Sequence, residues 1–179
     1  RTRTAQFEEI LEASPDYVAT VDGNGRILWA NAATRALTGV SSVDAYATGD
    51  YSLFALLSPN GRRHFLDEAV PMLWSAGAWV GEIEGRLPDG TVFPLSFSAI
   101  AHFDGSGNPT YFSGIARDIT AAKRSEELLA DSERRMRTLV DSAPIGIFET
   151  NPWGACTYVN PAFCSITRIS DPSEALGFG

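Results

Sequence analysis

Histidine and cysteine, the side chains best suited to acid–base chemistry, nucleophilic attack and metal binding, are scarce in this sequence. Its 179 residues contain two His and two Cys. Cys156 and Cys164 do not form a CxxC pair and have no His beside them, which predicts two ordinary thiols in a reducing compartment, the cytoplasm. His102 ends a predicted strand beside a turn, and His64 precedes the apolar Phe65 on a predicted helix. Both imidazole rings are therefore expected at the surface.

The rest of the sequence lacks the motifs of a catalytic site. It contains no Ser/His/Asp set, no GxxxxGK[ST] phosphate-binding loop and no cluster with metal-ligand spacing. We therefore expect this segment not to be an enzyme.

Charge and composition limit the classes of partner that this chain can bind. The formal net charge of −8, without a basic run, is unfavourable for binding nucleic acid or an anionic membrane surface. Hydrophobic residues make up 44% of the chain, the balance of a globular protein with a sizeable core. No apolar run approaches the roughly 18 residues of a membrane span, so we expect no membrane in this segment. Because the chain starts without Met and stops abruptly, we expect a piece of a larger protein.

Two stretches of the chain repeat each other. Residues 7–41 and 136–170 align without a gap at an offset of about 129 residues. The identical pairs are Pro15/Pro144, Gly25/Gly154, Asn31/Asn160, Ala33/Ala162, Thr38/Thr167 and Ser41/Ser170. The sequence therefore predicts one complete domain followed by the opening part of a second copy.

The order of strands and helices in the first copy predicts its fold class. Asn31 is placed to cap a helix that Gly39 ends, and residues 22–25 (DGNG) favour a hairpin turn. The predicted helices cover 5–14, 32–38, 53–57 and 62–76, and the predicted strands cover 17–21, 26–30, 79–87, 91–103 and 111–119. Two strands, several short helices and then three strands joined by short turns predict an α+β fold. Its single antiparallel sheet carries the helices on one face.

A longer helix is predicted from Thr120 to about Ser142. Its small and apolar residues recur with alternating spacings of three and four, which is typical of a coiled-coil seam. The seam residues are Ala122, Ser125, Leu129, Ser132, Met136, Leu139 and Ala143. At about 1.5 Å per residue, this helix would span roughly 35 Å.

Three local signatures, in this order, resemble those of PAS domains. They are residues 20–31 (TVDGNGRILWAN), residues 79–82 (WVGE) with 89–94 (DGTVFP), and residues 114–120 (GIARDIT). The resemblance implies a PAS-like five-stranded antiparallel sheet, a pocket between the sheet and its short helices, and a long linker helix after the sheet. The domains expected are a PAS-like sensor with its N-terminal helix over 1–119, a signalling linker helix over 120–143, and the N-terminal half of a second PAS-like domain over 144–179.

The resemblance also implies a function. PAS domains serve as sensory and dimerisation modules in bacterial signalling proteins, including histidine kinases of two-component systems and cyclic-di-nucleotide enzymes such as diguanylate cyclases. The larger protein is then expected to carry a kinase, cyclase or phosphodiesterase domain. We expect a homodimer formed by the N-terminal helix (Phe7, Ile10, Leu11), the outer face of the sheet (Tyr111, Ser113, Ile115) and the linker helix.

Strand alternation and the resemblance together put small residues on the inward face of the sheet. Glycine and alanine there leave volume that something must fill. Either a small ligand fills it, or Trp29, Phe54, Phe65, Leu73 and Trp79 fold in. The candidate pocket residues are Val18, Thr20, Trp29, Phe54, Phe65, Leu73, Trp79, Ile83, Gly85, Leu95, Phe97, Ala99, Gly114 and Ala116.

These residues specify no cofactor. A light-sensing flavin domain would need a reactive Cys near residues 53–60, which is absent, and amide side chains where Gly85, Leu95 and Ala116 stand. A redox flavin held without a covalent bond is an alternative, because members of that branch carry a Trp at the place of Trp79. Haem is another alternative, with His64 as the candidate axial ligand. A small apolar or organic-acid ligand is the third.

The junction between the last strand and the linker helix contains Asp118 and Thr120. A short acceptor side chain at a helix start can cap free backbone N–H groups. Because the same junction joins the pocket-lining strand to the linker helix, we predict that it passes the signal on; a plain helix cap is the alternative.

The competing function for the whole segment is a ligand-free module that only dimerises and spaces other domains.

Overall fold

A computed structural model describes residues 3–49, 51–169 and 172–175. The chain separates into two compact units that are divided after Ala121. None of the helices in the described part of the chain is both long and apolar enough to cross a bilayer.

The first unit begins with a helix and a hairpin. Helix α1 (Arg3–Ala13) precedes strands β1 (Tyr17–Val21) and β2 (Ile27–Ala30), and helix α2 (Ala32–Thr38) follows. The predicted caps of α2 are confirmed, because the Asn31 side chain accepts a hydrogen bond from the Thr34 N–H and Gly39 ends the helix with φ of 71°. Helix α3 (Asp44–Thr48) and a 3₁₀ turn (Leu53–Leu56) complete this part.

The predicted helix over 62–76 begins earlier and contains a widened turn. It consists of α4 (Pro59–His64), a π-helical turn (Phe65–Ala69) and α5 (Val70–Ala76). The Val70 N–H bonds to the Phe65 carbonyl, five residues back, immediately before Pro71. Proline has no N–H to give to the helix and its ring crowds the preceding turn, so a wider turn just before it lets the helix continue.

Three long strands complete an antiparallel sheet of five. They are β3 (Ala78–Arg86), β4 (Val92–Phe103) and β5 (Pro109–Asp118), and the strand order is β2-β1-β5-β4-β3. Burial alternates along β4: Phe93, Leu95, Phe97, Ala99 and Ala101 are buried, while their neighbours are more exposed. The predicted α+β fold with five antiparallel strands is confirmed.

The long helix α6 (Thr120–Ser142) follows the sheet, as predicted. Beyond it, the second unit contains strands β6 (Phe148–Thr150) and β7 (Cys156–Val159), helix α7 (Pro161–Thr167) and a 3₁₀ turn (Pro172–Glu174). Strands β6 and β7 form a two-stranded antiparallel sheet. This order repeats that of β1, β2 and α2 in the first unit.

Candidate ligand-binding site and output junction

A cavity of about 110 Å³ lies between the inner face of the sheet and the helices of the first unit. Its wall combines residues of β1, β3, β4 and β5 with residues of α5 and of the 3₁₀ turn. Nine of the residues predicted for a pocket lie on this wall: Phe54, Phe65, Leu73, Ile83, Leu95, Phe97, Ala99, Gly114 and Ala116.

Three predicted pocket residues lie on the opposite face of the sheet, and their prediction is wrong. Val18 pairs with Ile115, Thr20 pairs with Ser113, and Trp29 pairs with Thr20. Residues directly opposite each other in an antiparallel pair share a face, and Ile115 points outward with Ser113. Val18, Thr20 and Trp29 therefore belong to the outer face.

The residues of β1 that do line the cavity are Tyr17, Ala19 and Val21. They stand opposite Ala116, Gly114 and Phe112 of β5, respectively. All three are hydrophobic, but so is Val18 on the other face, so the sequence alone did not distinguish the two faces of β1. The 3₁₀ turn and the helices add further residues that the sequence did not single out, namely Leu37, Leu53, Leu56, Leu57, Val70 and Trp74.

Trp79 and Gly85 lie on the inner face but outside the cavity wall. The space over Gly81 is taken by the Trp79 ring, since a Cβ on Gly81 would lie 2.4 Å from the ring. A Cβ on Gly85 would lie 2.8 Å from the Leu95 side chain. Close packing with neighbouring side chains explains both glycines without a ligand.

Aromatic rings fill much of the remaining volume above the sheet. Phe65 lies 5.8 Å from Phe97, 6.1 Å from Phe54 and 6.5 Å from Trp79, measured between ring centroids. Phe97 also covers Gly114, where a Cβ would approach its ring to 2.7 Å. Filling by side chains is therefore extensive, and the 110 Å³ cavity is the volume that these rings leave.

Four polar residues border the cavity: Tyr17, Asp22, Thr34 and Ser113. The side chains of Asp22, Thr34 and Ser113 have hydrogen-bond partners elsewhere. The Asp22 carboxylate accepts from the backbone N–H groups of Asn24 and Arg26 in the hairpin turn. The Thr34 hydroxyl donates within a buried network that contains the Val18 carbonyl and the Asn31 side chain. The Ser113 hydroxyl lies 2.9 Å from the His102 ring on the outer face. The cavity surface is therefore apolar in character.

The described residues do not fit the cofactors considered from the sequence. His64 is 43% exposed, lies 3.3 Å from the Glu68 carboxylate and is absent from the cavity wall, so it is not placed as an axial haem ligand. Drug-sized ligands occupy pockets of about 300–1,000 Å³, and a flavin ring system belongs to that range. A cavity of about 110 Å³ is too small for either group. Within the described ranges, no three His, Cys, Asp or Glu side chains are grouped as a metal site requires.

The junction between β5 and α6 has the geometry of a helix cap. The Asp118 carboxylate accepts a hydrogen bond of 2.8 Å from the Thr120 N–H. The Ile119 N–H bonds to the Pro94 carbonyl of β4, which fixes the junction to the sheet. The Thr120 hydroxyl is buried and has no hydrogen-bond partner within the described part of the chain.

Tyr17 connects the cavity wall to this junction. Its side chain lines the cavity, and its residue pairs with Ala116, two positions before Asp118. Burial raises the pKa of the Tyr17 phenol, and the negative charge of Asp118 raises that pKa further. The phenol and the Asp118 carboxylate are thus close enough to interact.

The outer face of the sheet carries exposed apolar side chains. Val80 is 73% exposed, and Ile100 and Ile115 are about half exposed. Phe7 and Ile10 of α1 are also more than half exposed, so these two side chains are not buried against the sheet of their own chain. The predicted homodimer through α1, the outer face of the sheet and the linker helix stays a prediction.

Comparison with known proteins places these features in a family. The sequence profile of the PAS fold matches residues 11–124, more than half of the chain, and the profile of a PAS domain matches residues 134–178. The sensor protein FixL of Bradyrhizobium diazoefficiens is 28% identical over 142 residues, which cover 76% of this chain and 27% of that protein. The chain thus spans about a quarter of the length of this curated relative.

Solved structures with the same fold include a PAS domain from Colwellia psychrerythraea, with a TM-score of 0.58 and 22% identity over 67% of this chain and 99% of that one. A sensory box histidine kinase/response regulator from Burkholderia thailandensis matches with a TM-score of 0.55 and 17% identity, covering 75% of this chain and 99% of that one. At these identities, the likeness concerns the fold alone.

Proposed function

Because the chain belongs to the PAS family, whose members are sensory rather than catalytic modules, we propose that it is the sensory input and dimerisation segment of a bacterial signal-transduction protein. Its first unit binds a small ligand between the sheet and the helices. The bound state changes the Asp118–Thr120 junction, and α6 carries that change towards a C-terminal effector.

The observation that carries this proposal is the short path from the cavity to the junction. Gly114 and Ala116 of β5 lie on the cavity wall, and the strand ends two residues later at Asp118. Asp118 accepts the hydrogen bond that starts α6. A ligand that presses on the inner face of β5 or on Tyr17 would therefore act on the residues that hold the first turn of α6.

Dimerisation is supported by apolar surface of two kinds. On α6, Leu129, Met136 and Leu139 are each more than 60% exposed, and they belong to the heptad seam. On the sheet, Val80, Ile100 and Ile115 leave the outer face partly apolar. We propose a homodimer in which α1 and the outer face of one copy meet those of the other, with the two α6 helices side by side.

The wider context comes from the proteins that the chain resembles. One is named a sensor protein and another a histidine kinase with a response regulator. We propose that the effector of this protein is a histidine kinase of a two-component system, with a diguanylate cyclase or phosphodiesterase as alternatives. Two free cysteines are consistent with a cytoplasmic location.

The proposed coupling is tested with Asp118→Ala in the full-length protein, and Asp89→Ala is its matched control. Asp89 makes the same contact, a 2.8 Å bond from the Thr91 N–H two residues ahead, but in the β3–β4 turn. We expect both variants to change the melting temperature by similar small amounts and only Asp118→Ala to change ligand-dependent output. If both variants change output equally, or if output falls only in proportion to the loss of melting temperature, Asp118 acts as a helix cap and has no part in signalling.

The second candidate function is a ligand-free spacer and dimerisation module. The extensive filling of the sheet face by Phe65, Phe97 and Trp79 favours it. Native mass spectrometry and an absorbance spectrum of the purified chain separate the two functions. A stoichiometric bound molecule supports the sensor, whereas repeated failure to detect one or to load one supports the spacer.

A further inference from the structure

The size of the cavity restricts what the proposed sensor can bind. Its volume is about 110 Å³. Cavities of about 150 Å³ lined by Leu, Ile and Phe accept benzene, whereas drug-sized ligands need about 300–1,000 Å³. An occupant of this cavity is therefore a single small ring or a short hydrocarbon chain.

The chemistry of the wall restricts the occupant further. Aromatic rings of Phe54, Phe65, Phe97 and Phe112 surround the space together with aliphatic side chains. The Asp22 carboxylate and the Thr34 hydroxyl on the wall already take part in hydrogen bonds of the hairpin turn and of the buried Asn31 network. The Tyr17 phenol adds a hydroxyl to the wall, but no Lys, Arg or His side chain stands among the described residues that line the cavity. A negatively charged occupant would therefore lose its hydration without gaining a cationic partner.

We propose that the ligand of this site is an uncharged, apolar molecule of about the size of benzene or toluene. The proposal rests on the sensory function proposed above and selects one of the ligand classes that the sequence left open. It excludes small organic acids, which the sequence alone allowed.

Parts of the cavity wall lie at the protein surface. Among the wall residues, Gly23 and Trp74 are exposed, so the cavity reaches the surface next to them. Phe54 is partly buried and packs over Gly25, where a Cβ would approach its ring to 2.6 Å.

The experiment is a titration of the ¹⁵N-labelled chain with benzene, toluene and benzoate, followed by amide chemical shifts. Benzene and toluene should shift the amide resonances of Gly114 and Ala99 in a saturable manner. Benzoate has the same ring with a negative charge, and we expect it to bind at least about tenfold more weakly, because its carboxylate would be buried without a cationic partner.

Variants connect the binding to this cavity. Ala99→Leu fills the cavity from its floor and should weaken benzene binding at least about tenfold, while Ser98→Leu, on the exposed outer face next to it, should leave binding unchanged. If Ala99→Leu does not fold, Phe54→Ala provides the opposite test. Removing this partly exposed ring enlarges the cavity, so the variant should bind naphthalene, which the wild-type chain should not bind.

Each outcome has a separate meaning for the ligand class and for the sensory function. Two results would overturn the proposed ligand class without affecting the proposed sensory function. One is tighter binding of benzoate than of benzene. The other is an equal effect of Ser98→Leu and Ala99→Leu on benzene binding. Saturable benzene binding with no change in amide hydrogen exchange over residues 118–124 supports the ligand class and counts against the sensory function. Absence of binding by all three probes, with Phe54→Ala also unable to bind naphthalene, overturns the ligand class.

Discussion

Replacement of Asn31 by Ala should be among the most destabilising single changes in the first unit. The Asn31 side chain is fully buried. Its carbonyl oxygen accepts from the N–H groups of Val18 and Thr34, each at 3.1 Å. Its amide nitrogen donates to the carbonyls of Leu11 at 3.0 Å and Asp16 at 2.9 Å, and also to that of Ser14 at 3.2 Å. One side chain therefore joins the end of α1, the start of β1 and the first turn of α2.

The magnitude follows from the groups that Asn31→Ala leaves behind. The N–H groups of Val18 and Thr34 are buried and would lose their partner, at about 1–3 kcal/mol each. The three carbonyls are partly buried and can turn to water, so they add less. We expect a loss of about 3–5 kcal/mol in the free energy of unfolding, a large share of the roughly 5–15 kcal/mol of an ordinary domain.

Urea unfolding followed by circular dichroism measures this loss, and Asn24→Ala is the control. Asn24 is exposed in the β1–β2 turn, so its replacement should change stability by no more than about 0.5 kcal/mol. For a unit of this size the Asn31→Ala loss corresponds to a fall in melting temperature of about 10–25 °C. A loss below about 1 kcal/mol would refute the reasoning, because it would mean that water or a rearranged backbone satisfies the buried N–H groups.

Two further changes test local features of the first unit. The paired guanidinium of Arg117 lowers the pKa of the Asp16 carboxyl, so the stabilisation from Asp16 is fully present at neutral pH. It begins to decline near the usual Asp pKa of 3.8 and is lost as the pH falls through the lowered pKa of the folded state. Asp16→Asn should therefore lower the urea midpoint at pH 7, and this effect should shrink steadily as the pH is lowered below 3.8; an effect that stays the same between about pH 5 and pH 2 would contradict the ion pair. Gly25→Ala should cost about 1–3 kcal/mol in a thermal melt, because φ is 79° and the new Cβ would lie 2.6 Å from the Phe54 ring. Gly23→Ala, which meets nothing within 4 Å, should stay within about 0.5 kcal/mol, and similar losses for both would argue against that contact.

The sequence predicted the elements better than it predicted which side of β1 faces the core. Strands β3 and β4 alternate clearly between apolar and polar residues, so the inward positions Ile83, Leu95 and Phe97 were identified. Strand β1 (YVATV) has apolar residues at both parities. Only its pairing with β5, which sets Tyr17 opposite Ala116, decides that Tyr17 faces the cavity and Val18 does not.

The pocket was harder to predict because its volume depends on side-chain directions. Small residues on the inner face suggested a void, and three of those glycines are in fact covered by rings and side chains from their own sheet. The Trp79 ring turns back over Gly81, and the Phe97 ring crosses to Gly114. The spacing of small residues along the strands indicates free volume above the sheet. The rotamers of neighbouring side chains decide how much of that volume is filled.

In the second unit, Asn160 makes the same kinds of contact as Asn31 makes in the first, and one of them is to the end of α6. The amide nitrogen of Asn160 donates to the carbonyls of Val140 and Ile145, each at 2.9 Å. Its carbonyl oxygen accepts from the N–H groups of Ile147 at 2.8 Å and Phe163 at 2.9 Å.

Asn160 thus holds the end of α6 as Asn31 holds the end of α1, and both side chains are fully buried. Helix α6 therefore has two roles at once: it begins at the Asp118 cap of the first unit and ends as the entry helix of the second. Helix α6 is continuous over 23 residues, about 35 Å, and side-chain hydrogen bonds are made at its start and at its end. We therefore propose that, in the sensor, a change at Thr120 passes along α6 to the Asn160 contacts and so to β6 and α7 of the second unit.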